Sequence, residues 1–381
     1  MYLHIPFCHS RCTYCDFNTT TGQETLIGRY VQALTREIRL VGGLQRLPVH
    51  TIYFGGGTPS LVSPEDVGAI IQQCRSTFDL APDAEITLEA NPGSVIQSHL
   101  HKLRQAGVNR LSIGMQSAHQ RELRLFRRPH TLDDVWHATR YARQVGFDNF
   151  SLDLIYGVPH QTLAMWQHSL DTALLMNPSH LSLYSLGIED GTPMQRWIMT
   201  GQLLPPDSDL AADMYEWACE RLAAAGFEHY EISNWARPGY ACQHNVHYWR
   251  NLPYLGLGAG AHGYANGQRY ANIAQPAHYI DRIEGQPTPL PFPCSAATDT
   301  LESVDTAEEM SETLLMGLRL IQGGVGMADF WARFGQDMWA VFGAQFERLI
   351  AQGLLEHTDG ERVRLTAKGR LLGTLVFAEF V

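Results

Sequence analysis

The sequence predicts an α/β fold: an incomplete barrel of six βα units, followed by a small C-terminal helical module. Short β-rich runs alternate with segments of helical apolar spacing, the pattern of βαβ units around a parallel sheet. Residues with chemical potential follow those runs directly, and an α/β barrel builds its site at the carboxyl ends of its strands. A proline-rich break at 285–293 then sets off the module.

Strands are expected near 2–5, 51–54, 85–89, 110–114, 150–155 and 180–186. Between the first two, Tyr30, Val31, Ala33, Leu34, Ile38 and Leu40 keep the spacing of an amphipathic helix. Ser63-Pro64-Glu65-Asp66 reads as a helix start, with a capping hydroxyl, proline at the first helical position and acids in the first turn. The segments after the strands are Gly55-Gly56-Gly57-Thr58-Pro59, Ala90-Asn91-Pro92, Gln116 and Tyr156-Gly157. A cysteine loop follows the first strand, so all of these are expected at one mouth.

The expected organisation is a barrel over 1–284, carrying a histidine-rich extension at about 230–265, a linker over 285–305 and a C-terminal domain over 306–381. In that domain a helix at 308–321 precedes Gly323-Gly324, and two helical segments fill 327–352. A hairpin at 354–365 turning at Asp359-Gly360 and a last helix from about Thr366 complete a winged-helix-like order. Residues 306–381 hold 7 Lys/Arg against 10 Asp/Glu, so a cap or docking role suits them better than DNA binding.

With 381 residues, 45% hydrophobic and 18% charged, the chain can bury a sizeable core in one or two domains. Its net charge of −11 argues against nucleic acid as a partner. The absence of a long apolar run or a signal-like start points to a soluble, cytoplasmic protein. Seven cysteines, three of them clustered, argue for a metal site in a reducing compartment rather than a disulfide framework. Cys74, Cys219, Cys242 and Cys294 are scattered and read as buried thiols.

Cys8, Cys12 and Cys15 give the spacing C-x3-C-x2-C. Structural zinc wants four ligands, usually as paired short spacings, and His4 and His9 lie at no usual offset. Three thiolates instead suit a [4Fe–4S] cluster with one iron left open, since full ligation takes four cysteines. A glycine run, Gly55-Gly56-Gly57, follows the second strand, and alone it reads as a turn.

Together, the cysteine spacing and the glycine run resemble the radical S-adenosylmethionine (SAM) superfamily. That resemblance implies a partial (β/α)6 barrel, a cluster on Cys8, Cys12 and Cys15, SAM on the open iron, and Tyr14 against the adenine. Tyr2-Leu3-His4-Ile5-Pro6-Phe7-Cys8, Glu89-Ala90-Asn91-Pro92 and Ser112-Ile113-Gly114-Met115-Gln116-Ser117, with Arg128 and Asp153, narrow it to the family of oxygen-independent coproporphyrinogen III oxidases and their relatives. By this resemblance Tyr2, Gly56, Gly57, Thr58, Glu89, Gln116, Arg128 and Asp153 line the SAM pocket. Glu89 and Asp153 suit ribose hydroxyls or an ammonium, and Arg128 suits a carboxylate.

Two departures separate the relatives. The decarboxylating oxidase carries a further cysteine where this chain has Phe17, in Cys15-Asp16-Phe17. The chain also begins two residues before the first motif, without the oxidase's N-terminal extension. Downstream, His244-Asn245-Val246-His247-Tyr248-Trp249 offers an imidazole for haem iron and flat aromatic surface for a porphyrin. H-N-x-x-Y-W is similar to the segment of the HemW-type haem chaperones. That family implies haem binding through His244, Tyr248 and Trp249, and transfer to acceptor haem proteins, membrane respiratory proteins among them, with peripheral membrane contact at delivery. His247 and Cys242 are further candidate ligands. The alternative is a radical SAM enzyme that decarboxylates the propionate side chains of coproporphyrinogen III.

Overall fold

The computed structural model describes residues 1–43, 46–358 and 361–381. It divides into two compact units, Met1–Ala218 with Pro253–Glu302, and Cys219–Leu252 with Ser303–Val381. The first unit holds six parallel strands in sequential order: β1 (Tyr2–Ile5), β2 (Pro48–Gly56), β3 (Asp79–Ala90), β4 (Arg110–Gln116), β5 (Phe150–Tyr156) and β6 (His180–Ser185). Between them run α1 (Ile27–Gly42), α2 (Pro64–Thr77), α3 (Gln97–Ala106), α4 (Leu132–Gln144) and α5 (Leu163–Leu175). This is the expected partial (β/α)6 barrel. β2, β4 and β5 run further at their carboxyl ends than the sequence suggested, because Gly55, Gly56, Gln116 and Tyr156 still pair with neighbouring strands.

Local sequence explains the elements. Ser63 Oγ accepts from Asp66 N at 3.1 Å with Pro64 at the first helical position, the predicted start of α2. Thr131 and Asp134 form a reciprocal capping box on α4. Leu3, Ile5, Ile52, Phe54, Leu88, Ile113, Leu152 and Leu183 are buried, and each such side chain contributes about 1.5–3 kcal/mol. β4 is buried along its whole length, and β5 is buried at every position but Asp153, which is largely buried. A sheet covered on both faces leaves such strands no polar side.

A seventh parallel strand, β7 (Gly256–Leu257), lies outside β1 and was not expected. Only glycine fits at 256, where a Cβ would stand 1.7 Å from the His262 carbonyl oxygen. Buried Glu37 on α1 fastens this region. Its carboxylate accepts from Tyr279 Oη (2.6 Å), Gly258 N (2.8 Å), Ser295 Oγ (2.7 Å) and Asn272 Nδ2 (2.9 Å). Residues 285–302, expected as a linker, therefore belong to the first unit: Gln286 and Ser295 are buried, and a strand begins at Thr298.

The second unit joins 219–252 to the C-terminal module, whereas the sequence expectation placed the histidine motif with the barrel. The connection is backbone pairing: Ile232 N donates to Arg319 O, and Ile321 N to Tyr230 O. The module has helices at Thr306–Gly317, Met327–Phe334 and Met338–Ala351. Val325–Gly326, Arg362–Leu365 and Leu355–Thr358 form a three-stranded antiparallel sheet in that order, followed by short helices at Ala367–Leu371 and Gly373–Phe377. Leu314, Leu318, Phe330, Phe346, Leu349 and Val363 build its core. The predicted hairpin strands are present, while Asp359 and Gly360 lie outside the described residues.

Candidate functional site

The cysteine loop leaves β1 and is held from several sides. Phe7–Cys8 pairs in parallel with Thr20–Thr21. Buried Thr13 donates its hydroxyl to Leu125 O (2.7 Å) and its N–H to Phe126 O (3.2 Å), and its carbonyl accepts from Met194 N (3.0 Å). Cys8, Cys12 and Cys15 are all free thiols. Thr58 Oγ1 donates to Cys8 Sγ and Arg128 Nη1 to Cys12 Sγ, both at 3.5 Å. Burial pushes the Cys8 and Cys15 thiols up, and each is raised further by its cysteine neighbours. Three adjacent thiolates thus need a positive group among them. Among the described residues no three His, Cys, Asp or Glu side chains close around a point fit for a single metal ion. A four-iron cluster takes each cysteine on a separate iron, and the thiols with their Arg128 and Thr58 donors fit that group.

The glycine run lies flush on the end of β1. Gly57 N donates to Ile5 O at 2.8 Å and Thr58 N to Phe7 O at 2.9 Å. A Cβ at Gly57 would meet Phe7 O at 2.7 Å, and at Gly56 (φ +114°) the His4 ring at 2.5 Å. His4 is itself fixed, with Nδ1 2.9 Å from Tyr2 Oη and Nε2 2.8 Å from Asn18 O. The glycines are therefore required first by strand packing.

Two carboxylates stand on the neighbouring strands. Glu89 accepts from Tyr53 Oη (2.9 Å) and Gly56 N (3.2 Å), and burial, with Asp153 nearby, pushes it up to about 7. Asp153 is cradled by serines, with Ser112 Oγ at 2.8 Å and Ser151 Oγ at 2.9 Å. Burial raises it too, against the pull of those hydroxyls and of Arg110. Ser112 faces Ser151, and Ser182 faces Asp153, in the strand register.

Gln116 adopts φ +63°, a costly conformation for a residue other than glycine. Its continuation is pinned by buried Glu122, which accepts from Ser117 Oγ at 2.5 Å and Gln161 Nε2 at 3.2 Å. The segment then presents Phe126 edge-on to Tyr14, with ring centroids 5.1 Å apart. It ends at Arg128, whose Nη2 donates to Gly114 O at 3.2 Å and whose buried Nε has no partner. These contacts place Thr58 and Arg128 against the cysteine loop, Tyr14 against Phe126, and Glu89 against Gly56.

The second unit holds the histidine motif on the helix Gln243–Trp249. His244 is buried, and its Nε2 lies 2.9 Å from Tyr248 Oη, one helical turn on. Cys242 is buried just before the helix, and His247 is half-buried. Trp249 is stacked by the Arg319 guanidinium, 4.5 Å from the ring centroid. His244 and Tyr248 thus meet each other, and Trp249 faces a different partner.

Comparison with known proteins follows this division. The profile of the Radical SAM superfamily matches residues 2–173, and that of the HemN C-terminal domain matches 304–372. The protein named heme chaperone HemW from Bacillus subtilis is 37% identical over 100% of this chain and 98% of its own length. The heme chaperone HemW of Mycobacterium tuberculosis is 39% identical over 99% of this chain and 93% of its own. The chain belongs to the HemW family of radical SAM proteins. Coproporphyrinogen III oxidase (HemN) from Escherichia coli, at 24% identity, shares the fold with a TM-score of 0.84 over 100% of this chain and 89% of that one.

Radical SAM membership implies a [4Fe–4S] cluster and SAM. Motif reasoning quoted His4 and Ser112 without giving them a supporting role, and it did not single out Asn18, Tyr53, Ser151, Ser182, Glu122 or Phe126. One signal was available for the serines. Ser151 and Asp153 are two apart on a strand, so they share a face, and polar residues on a fully buried strand require partners.

Proposed function

We propose that this HemW-family protein is an iron–sulfur, SAM-binding haem chaperone. It binds haem and passes it to acceptor haem proteins, membrane respiratory proteins among them, from the cytoplasmic side. The observation that carries this reading is the end-to-end likeness to proteins named haem chaperones, which spans both the thiol mouth and the histidine helix. No helix among the described residues is long and apolar enough to cross a membrane, so delivery rests on peripheral contact.

In this reading Cys8, Cys12 and Cys15 hold the cluster, which when bound supplies an electron to the sulfonium of SAM. Tyr2, Tyr14, Gly56, Gly57, Thr58, Glu89, Gln116, Arg128 and Asp153 line the SAM pocket. Arg128 compensates the Cys12 thiolate and offers donors to a carboxylate. The charge of Glu89 is available to a cationic ligand once its proton leaves. His244 meets haem iron, with Tyr248 and Trp249 against the porphyrin. Ligation through Nε2 requires the contact with Tyr248 Oη to open.

The test gives reconstituted protein haemin in one experiment, and coproporphyrinogen III with SAM and reductant in another. Stoichiometric haem absorbance that His244→Ala abolishes, with no decarboxylated porphyrin formed, is the expected result. Turnover to protoporphyrinogen would replace the chaperone by the oxidase.

A further inference from the structure

Among the described residues Arg319 of the second unit has no ionic partner, although its position is tightly defined. Its backbone is fixed on both sides: Arg319 N donates to Met316 O at 3.1 Å, and Arg319 O accepts from Ile232 N at 3.2 Å. Its guanidinium carbon lies 4.5 Å from the ring centroid of Trp249 and 5.6 Å from that of Phe377. Among the described residues it forms no ion pair and no side-chain hydrogen bond, and its Nε is buried without a partner. Trp249 Nε1 is a second buried donor with none. Two stacked side chains therefore hold orphan donors, a costly state unless water or a ligand completes them.

The buried Glu231 carboxylate feels the Arg319 charge. It does not close the pair: it accepts from Asn234 Nδ2, and its second oxygen has no partner. A planar guanidinium stacked on rings, its rotamer freedom already spent, is the side chain best shaped for a carboxylate. We infer that Arg319, seated on Trp249, is a carboxylate-binding site that takes a propionate of the porphyrin. The inference rests on the haem reading above. Trp249 and His244 lie on the same short helix, Gln243–Trp249, so the stacked guanidinium and the imidazole belong to one unit. The site would give the C-terminal module a share in holding the ligand.

The experiment titrates cluster-reconstituted protein with haemin and with haemin dimethyl ester, whose propionates carry no charge, following the Soret band. Wild type is expected to bind haemin about ten- to a hundredfold more tightly than the ester, the range of a hydrogen bond to a charged group. Arg319→Met, which keeps an apolar stem on the rings, should bring the two within about threefold while His244-dependent binding of the ester persists. Arg319→Lys should keep part of the preference. Equal binding of both porphyrins by wild type, or an undiminished preference in Arg319→Met, overturns the assignment. A role confined to packing would show as a lower melting temperature with the preference intact. Wild type that binds neither porphyrin overturns the haem reading, and this site with it.

Discussion

The thiol mouth of the first unit and the histidine helix of the second are built on opposite plans. At the mouth, donors from separate strands and loops aim at two thiols and a carboxylate: Thr58 at Cys8, Arg128 at Cys12, and the serines at Asp153. On the helix the imidazole is buried and already engaged, with Nε2 on Tyr248 one turn away. The first site is preorganised for a resident cofactor. The second must open before it can ligate anything, which suits a ligand that has to leave again. The difference teaches that retention and release can be set by whether a site's polar atoms wait for the ligand or for each other.

The largest expected effect tests the mouth alone. Cys12→Ser removes one of three ligands, so the reconstituted protein should lose the brown cluster absorbance entirely. Haemin binding on the second unit should survive, and its loss would show that the two sites are coupled. Gly57→Ala should lower the stability of the protein by about 2–3 kcal/mol in urea unfolding, because a Cβ there meets the backbone of residues 5–7 at 2.7–2.9 Å. Unchanged stability would mean that the end of β1 shifts freely, against the preorganised plan.

These residues also mark how far the sequence could be read. The sheet was legible, since strand and helix periods differ and the capping signals at Ser63 were met. The cysteine loop and the glycine run were legible because they are local motifs at strand ends. What escaped was long range. Glu37 meets Gly258, Asn272, Tyr279 and Ser295 across more than two hundred residues, and no local pattern announces that. The same bonds explain why the proline-rich stretch belongs to the first unit. The partnership of 219–252 with the C-terminal module rests on backbone pairing around Ile232 and Arg319, equally silent in composition.

A pH dependence sharpens the contrast. Glu89 rises on folding from 4.5 to about 7, so the folded chain keeps a proton that the unfolded chain releases. Stability from this group is complete below about 4.5 and falls as pH rises to about 7, by about 3 kcal/mol. Glu89→Gln should remove that slope in unfolding experiments on SAM-free protein, and a slope of the same size in the variant would assign it elsewhere. The glutamine variant at position 122 tests positioning. Glu122→Gln can still accept from Ser117, whereas Glu122→Leu cannot. The leucine variant should weaken SAM binding about tenfold at unchanged cluster content, with the glutamine variant close to wild type. The smallest effect belongs to the helix. Tyr248→Phe keeps the ring and removes the hydroxyl from His244 Nε2, so on the proposed reading haemin should bind about fivefold more tightly. Weaker binding would mean that the hydroxyl holds the imidazole ready instead of closing it.

The central proposal is that the chain carries a cluster and SAM site on its cysteine loop and binds haem reversibly through the histidine helix. The most direct measurement compares haem stoichiometry and cluster content in wild type and His244→Ala prepared side by side. Stoichiometric haem in wild type, lost in the variant with the cluster absorbance unchanged, is the predicted result. Equal haem in both proteins, or loss of the cluster together with the haem, would contradict it.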